Sequence, residues 1–376
     1  MKFIDVIIQA IIQGLTEFLP VSSSGHVSLY QHLSGNSGNG AQTFTLFLHV
    51  GTLIAVIIVY RKLVADLIVE FFRMCGDLWK SFVSWCKALG HKFTAQSGMD
   101  IKPEVRKMPE MNETRRMVVM VIVASAWALL LFVPVFGWLG LYCADGEEVK
   151  TMADISKYLS EDRGILAEGL FLLITGVLLF YATYLSKQRE GSTKIMLRNG
   201  NAMGIAQCFA AMPGISRSGS TATVGMITGL EKNTALSMSF IMSIPAVLAE
   251  TAKDSLEIFM TPEAERNLNF TFVDVSIGIV IAAFVGVAAI IGLKWVVNNN
   301  KLNYFGWYCL VVGTVVVIVA IIEYSNGYNL FTHEPLKQVA DVIAPAAASP
   351  CDISITDISL SDISLSDLVA SAADIL

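Results

Sequence analysis

Four stretches of this chain carry no aspartate, glutamate, lysine or arginine: Ala41–Tyr60, Met117–Leu141, Val275–Leu293 and Leu302–Ile322. Each is near or above the ~20 helical residues that cross a bilayer's hydrocarbon core. Lipid offers no hydrogen bonds to a backbone, so such runs must satisfy their own amides, as a helix does. Hydrophobic residues make up 54% of the 376, charged residues 15%, and the mean hydropathy is +0.60. That composition excludes an ordinary soluble domain. The expected class is all-α, a polytopic membrane protein. The first apolar stretch has only Lys2 as a charged flank, so no cleavable signal peptide is expected. Six scattered cysteines lack metal-binding spacing, and there is no phosphate-binding Gly-rich motif and no nucleic-acid signature.

Loop charge sets the topology. Arg61–Arg116 holds eleven basic against seven acidic residues, Lys187–Arg198 four against one, and Lys294–Lys301 two against none. The alternate segments are acidic: Tyr142–Arg163 has three basic against six acidic residues, Thr251–Thr271 two against four, Glu323–Leu376 one against eight. Basic loops stay in the cytoplasm. Six crossings satisfy this alternation, near 42–60, 117–139, 165–186, 234–250, 272–293 and 304–323, and they place the acidic tail outside.

Two apolar segments remain, 3–33 and 200–230, each interrupted by proline, glycine and serines. Neither can cross without upsetting the charge alternation, so each is expected to be a re-entrant helix–loop–helix, the first dipping in from outside and the second from the cytoplasm. Their breaks, "FLPVSSSG" and "AMPGISRSG", match one residue out of step, and each hairpin is followed by three crossings. Three is odd, so the halves run with opposite topology, an inverted repeat whose broken helices meet near the midplane. The expected organisation is one membrane domain, 1–330, with repeat one at 1–186, repeat two at 200–325 and a cytoplasmic insertion at 63–115. Its 63–89 part suits helices lying on the membrane surface. The remainder, 331–376, is an acidic low-complexity tail with a five-residue Asp-Ile-Ser repeat.

The breaks carry the chemistry. "PGISRSGST" sets Arg217 among Ser216, Ser218, Ser220 and Thr221. An arginine at membrane depth needs an anion, and a guanidinium beside hydroxyls and glycine amides suits a phosphate. Pairing with Glu17 across the repeat is the structural reading, compatible with the first when no ligand is bound. In the other break, Gln13 and Glu17 share a helix face and offer oxygens to a hard divalent cation. Ser22, Ser23 and Ser24 are candidate hydroxyl nucleophiles, and His26 can exchange a proton near neutral pH. Glu168, Glu250 and Asp274 are expected at wet helix ends, and His49 beside the first hairpin.

With "QGLTEFLPVSSSGH" (13–26) and "PGISRSGST" (213–221) in hand, the chain resembles the undecaprenyl-diphosphate phosphatase family associated with bacitracin resistance. The resemblance implies hydrolysis of a polyprenyl diphosphate, the recycled lipid carrier of cell-wall synthesis, in the bacterial plasma (inner) membrane. It assigns Gln13 and Glu17 to the family's acidic motif and a divalent cation, Mg²⁺ or Ca²⁺, and Ser23, or alternatively His26, to nucleophilic attack. Ser22, Ser24, Ser216, Arg217, Ser218 and Thr221 fall to the phosphate, and the site should open outward. Many relatives carry two glutamates where this chain has Gln13 and Glu17. The partners implied are the lipid and the bilayer, with no nucleic acid, and there is room for a homodimer. A transporter or flippase of the same lipid is the alternative, because inverted repeats are also transporter architecture. A type-2 phosphatidic-acid phosphatase is excluded: Ser216-Arg217 is followed by neither of the histidine and aspartate that it requires.

Overall fold

The computed structural model describes residues 2–35, 39–94, 111–134, 149–161, 165–188, 191–260 and 270–333. Most of them are helical: α1 Phe3–Thr16, α2 Ser23–Ser34, α3 Asn39–Val59, α4 Arg61–Thr94, α5 Glu113–Trp127, α6 Met152–Glu161, α7 Ile165–Gln188, α8 Leu197–Phe209, α9 Arg217–Ile227, α10 Lys232–Met260, α11 Phe272–Asn298 and α12 Asn303–Asn326. The one β-type pairing among the described residues is an isolated bridge, Ser192 to Leu230. The insertion between 95 and 110, the stretch 135–148 that includes part of the outer loop, and the tail from 334 lie outside the described residues.

Long apolar helices fall near the expected crossings, three of them over charge-free stretches. Among the described residues five are long and apolar enough to cross a membrane: 113–131, 165–188, 232–253, 272–298 and 303–326. A sixth candidate is α3, which ends at the charged pair Arg61-Lys62 and turns through 90° into α4. The insertion therefore begins as a single 34-residue helix rather than several. Its inner side is held by Arg115 of α5, whose guanidinium donates to Glu70 at 2.7 Å and Asp77 at 3.0 Å. Its other side leaves Phe72, Trp79, Phe82 and Trp85 exposed.

The two broken segments fold back on themselves. With 14, 12, 13 and 11 residues, α1, α2, α8 and α9 are at most about 21 Å long, short of a ~30 Å core. Tyr30 donates to Asp5 (2.8 Å) and Gln31 to Gln9 (3.2 Å), so α2 returns along α1. Asn199 at the start of α8 donates to Thr228 at the end of α9 (2.9 Å), closing the second hairpin in the same way. Helix α1 lies on α11, and α8 on α5.

Small residues set the closest helix approaches, since apolar surface alone drives no association in lipid. At Gly51 of α3 a β-carbon would stand 2.9 Å from Ala282 of α11, with the Ile279 carbonyl closer still. A core of Phe18, Tyr60, Met203, Met238, Phe240 and Met242 fills the space beside the hairpins. Phe18 and Phe240 meet edge to face at 5.5 Å. Gly51→Val should cost about 1–3 kcal/mol by overpacking, read as a lower thermal unfolding midpoint in detergent. Gly292→Val, at a position with open space around it, should leave the midpoint unchanged.

Candidate active site

The loops joining each hairpin's helices share a capping pattern, although Ser22 has φ 70° where Ser216 has φ −72°. Ser22 caps α2 by accepting from the Gly25 amide (3.3 Å), and Ser216 caps α9 by accepting from Gly219 (3.1 Å). A serine two residues on touches each capping hydroxyl, Ser24 at 3.3 Å and Ser218 at 3.3 Å. The one-residue offset between the motifs is thereby resolved. Ser22 corresponds to Ser216, and Ser23 occupies in the first hairpin the place that Arg217 holds in the second. Each loop leans on the other: a β-carbon on Gly25 would meet Gly214 at 3.4 Å, and one on Gly219 would meet Pro20 at 3.1 Å. Thr175 of α7 supports the second loop, its hydroxyl taking the Ser216 amide hydrogen at 3.2 Å. Ser22 sits at φ 70°, a conformation that costs a non-glycine residue energy and that this crowding maintains.

Glu17, on the turn that ends α1, joins the two loops. Its Oε1 receives the Arg217 guanidinium at 2.5 Å. Its Oε2 receives the Ser23 hydroxyl at 2.7 Å and the Gln13 amide at 3.0 Å. His49 Nε2 stands 3.7 Å from the same oxygen. Cation and nucleophile candidates thus share one buried carboxylate and face each other across it. Both readings of Arg217 are served, because the guanidinium is half-buried with donors to spare.

The structure spreads the remaining site candidates unevenly. Ser24 is exposed and Ser218 half-buried, so both hydroxyls can reach a ligand, whereas Ser22 and Ser216 are buried as caps. Thr221 is buried, with its hydroxyl on the Arg217 carbonyl (2.7 Å) and Ser239 (2.6 Å), facing α10 rather than the loops. His26 stacks on Tyr308 of α12; its Nδ1 meets the Ser22 carbonyl and its Nε2 the Tyr308 hydroxyl, both at 2.8 Å. Ser23 therefore hydrogen-bonds to Glu17 and not to His26. Asp274 lies in the first turn of α11 and accepts from the amide of the capping Thr271 (2.8 Å), at the helix end as expected; Glu250 is exposed but lies within α10 rather than at its end. Glu168 departs from expectation: it is fully buried against the second loop, with one carboxyl oxygen lacking a hydrogen-bond partner among the described residues.

Sequence reading placed His49 beside the hairpin but gave it no part in the site, and it missed Tyr308 altogether. The signal for His49 was a polar stripe, Thr45, His49 and Thr52, at helical spacing on one face of a charge-free helix. For Tyr308 no local signal existed.

One orphan atom bears on whether the donor set suits a divalent cation. Gln13 is wholly buried, and its Oε1 has no partner among the described residues. An unmatched buried carbonyl oxygen one helical turn from a carboxylate fits a hard cation. No cluster of three or more histidine, cysteine or acidic side chains able to hold a metal occurs among the described residues. Gln13 and Glu17 could therefore hold an ion only with further ligands from outside this pair.

Fold and site together define a many-helix protein, with several helices apolar enough to cross a membrane, that presents serine, carboxylate and arginine between two opposed broken helices. The chain belongs to the bacitracin resistance protein BacA family, whose model matches residues 6–315. It is similar to the undecaprenyl-diphosphatase of Alkaliphilus metalliredigens, 31% identical over 325 residues, 86% of this chain and 100% of the relative. The undecaprenyl-diphosphatase of Bacteroides fragilis (strain ATCC 25285) is 29% identical over 86% of this chain and 100% of its own length.

The Glu17–Arg217 pair should couple the two hairpins. Arg217→Met, which leaves the carboxylate without its guanidinium, should destabilise the protein by about 3 kcal/mol. Adding Glu17→Gln to it should cost less than the sum of the single changes, as measured by thermal unfolding in detergent.

Proposed function

We propose that this protein hydrolyses undecaprenyl diphosphate to undecaprenyl phosphate and inorganic phosphate, recycling the lipid carrier of cell-wall synthesis and thereby conferring resistance to bacitracin. Membership of the BacA family and the names of relatives matched over their full length support the substrate. The observation that carries the reading is the carboxylate of Glu17 bonded at once to Ser23 and Arg217.

Arg217, with Ser24 and Ser218, binds the terminal phosphate and draws charge from its oxygens, which is the main contribution in phosphoryl transfer. Ser23 Oγ attacks phosphorus and passes its proton toward Glu17 Oε2, while the bond to the bridging oxygen breaks and undecaprenyl phosphate leaves. Water then cleaves the serine phosphate, releases inorganic phosphate and returns a hydrogen to Ser23. A divalent cation, Mg²⁺ or Ca²⁺ in this reading, supplies further neutralisation of phosphate charge and is held by Glu17 and Gln13. His26, fixed by the Ser22 carbonyl and Tyr308, holds the first loop in shape. Ser22 and Ser216 present the neighbouring amides, and Thr221 braces Arg217 from behind.

The surroundings follow the loop charges. The hairpins enter a bacterial plasma (inner) membrane from opposite sides and form an inverted repeat with the six crossings, and the site opens outward. Residues 1–330 form the membrane domain and 331–376 an acidic tail. The 90° turn after α3 lays α4 along the cytoplasmic surface with its aromatic side in lipid. A homodimer is compatible with this arrangement.

Phosphate release by pure protein in detergent tests the function, because no gradient exists there to drive transport. Ser23→Ala and Arg217→Ala should each lower the rate about 10³-fold or more, His26→Ala about tenfold, and a chelator should abolish it. Tight lipid binding by the wild-type protein without phosphate release would favour the flippase reading. Near-normal release by Ser23→Ala would return the attack to His26.

A further inference from the structure

His49 lies on α3, outside both hairpins, yet it aims at the centre of the site. Its Nδ1 lies 3.0 Å from the Thr45 carbonyl, an oxygen that can only accept, so Nδ1 carries a hydrogen. In the neutral ring Nε2 then bears the lone pair, and Nε2 is the atom 3.7 Å from Glu17 Oε2. A histidine that donates one nitrogen to a backbone carbonyl and points the other at a carboxylate has the form of a metal ligand with its outer support. Spacing agrees. Two ligand atoms held about 2.1 Å from one ion at 90–120° stand about 3.0–3.6 Å apart. Gln13 is placed likewise: its amide is 3.0 Å from Glu17 Oε2, and its orphan Oε1 takes that position if the amide turns over. Arg217 occupies only the other carboxylate oxygen, so the guanidinium does not stand between Oε2 and His49.

We propose that His49 is a third protein ligand, with Glu17 and Gln13, for the divalent cation, and that its nitrogen turns the site from Ca²⁺ toward ions such as Zn²⁺ and Co²⁺. The inference rests on the reading above that a divalent cation serves this site. Ca²⁺ prefers six to eight oxygen ligands, whereas a set of one carboxylate, one amide oxygen and one imidazole follows the rising affinity of the later first-row ions. Gln13 in place of a second carboxylate pushes the same way, because it removes a negative charge that a hard ion needs.

The test is metal binding by the metal-free full-length protein in detergent: Zn²⁺ and Ca²⁺ by calorimetry, and Co²⁺ by its visible absorption. The wild-type protein should bind Zn²⁺ at least tenfold tighter than Ca²⁺. His49→Ala should lose at least tenfold in Zn²⁺ affinity and change the Co²⁺ spectrum, while its Ca²⁺ affinity stays within about threefold. That retained Ca²⁺ binding also shows that the variant has kept its fold. Zn²⁺ affinity equal in wild type and His49→Ala overturns the role of His49 alone, and an equal loss of both ions in the variant overturns the selectivity. A wild-type protein that binds neither ion removes the metal reading itself.

Discussion

A single buried carboxylate organises this molecule. Glu17 sits where the first hairpin breaks, with Arg217 of the second hairpin on one oxygen and Ser23 on the other. An uncompensated charge in that position would be too costly to keep, so the pair constrains how the hairpins meet. The loops must come tip to tip, glycines at the contact, before the guanidinium can reach the acid. The same contact delivers a hydroxyl to a charged neighbour, as nucleophilic chemistry requires. Stability and the proposed chemistry thus draw on one interaction.

The two loops share one capping pattern but carry different side chains. Both begin with a serine cap, both place a second serine two residues later, and both follow it with a glycine packed against the opposite loop. What differs is the first helical residue, serine in one and arginine in the other. A repeat that was chemically symmetric would set two hydroxyls or two cations face to face. Divergence at this one position sets a hydroxyl opposite a guanidinium, which in the proposed reaction separates attack from charge stabilisation. Helices α7 and α12 add the outer support, Thr175 behind one loop and Tyr308 behind His26 of the other.

Much of the architecture was legible in the chain. Charge-free runs marked three of the long helices, because a helix in lipid tolerates few ions, and the alternation of loop charge marked the other two. Proline, serine and glycine marked the breaks, because they end helices and cap new ones. The side-chain assignments were less legible. Thr221, next to the arginine motif, turns inward to Ser239, and Glu168, near a helix start, is buried by the loop that folds over it. In both cases position along the helix was known, but the neighbour that would cover it was not. The insertion was read as surface helices and is, in its described part, one helix bent off α3 at a charged pair. The bend follows from local charge, its angle from packing.

Sequence by itself determined the class, the placement of the long helices and the two motifs that hold the chemistry, since these depend on composition and on spacing along one chain. Only the tertiary structure decided that Ser23 faces Glu17 while His26 faces Tyr308, and that His49, from a third helix, completes the surroundings of the carboxylate. Those facts depend on rotation of one helix against another. That rotation is set by glycine contacts and side-chain packing between segments far apart in the chain, which no local pattern records.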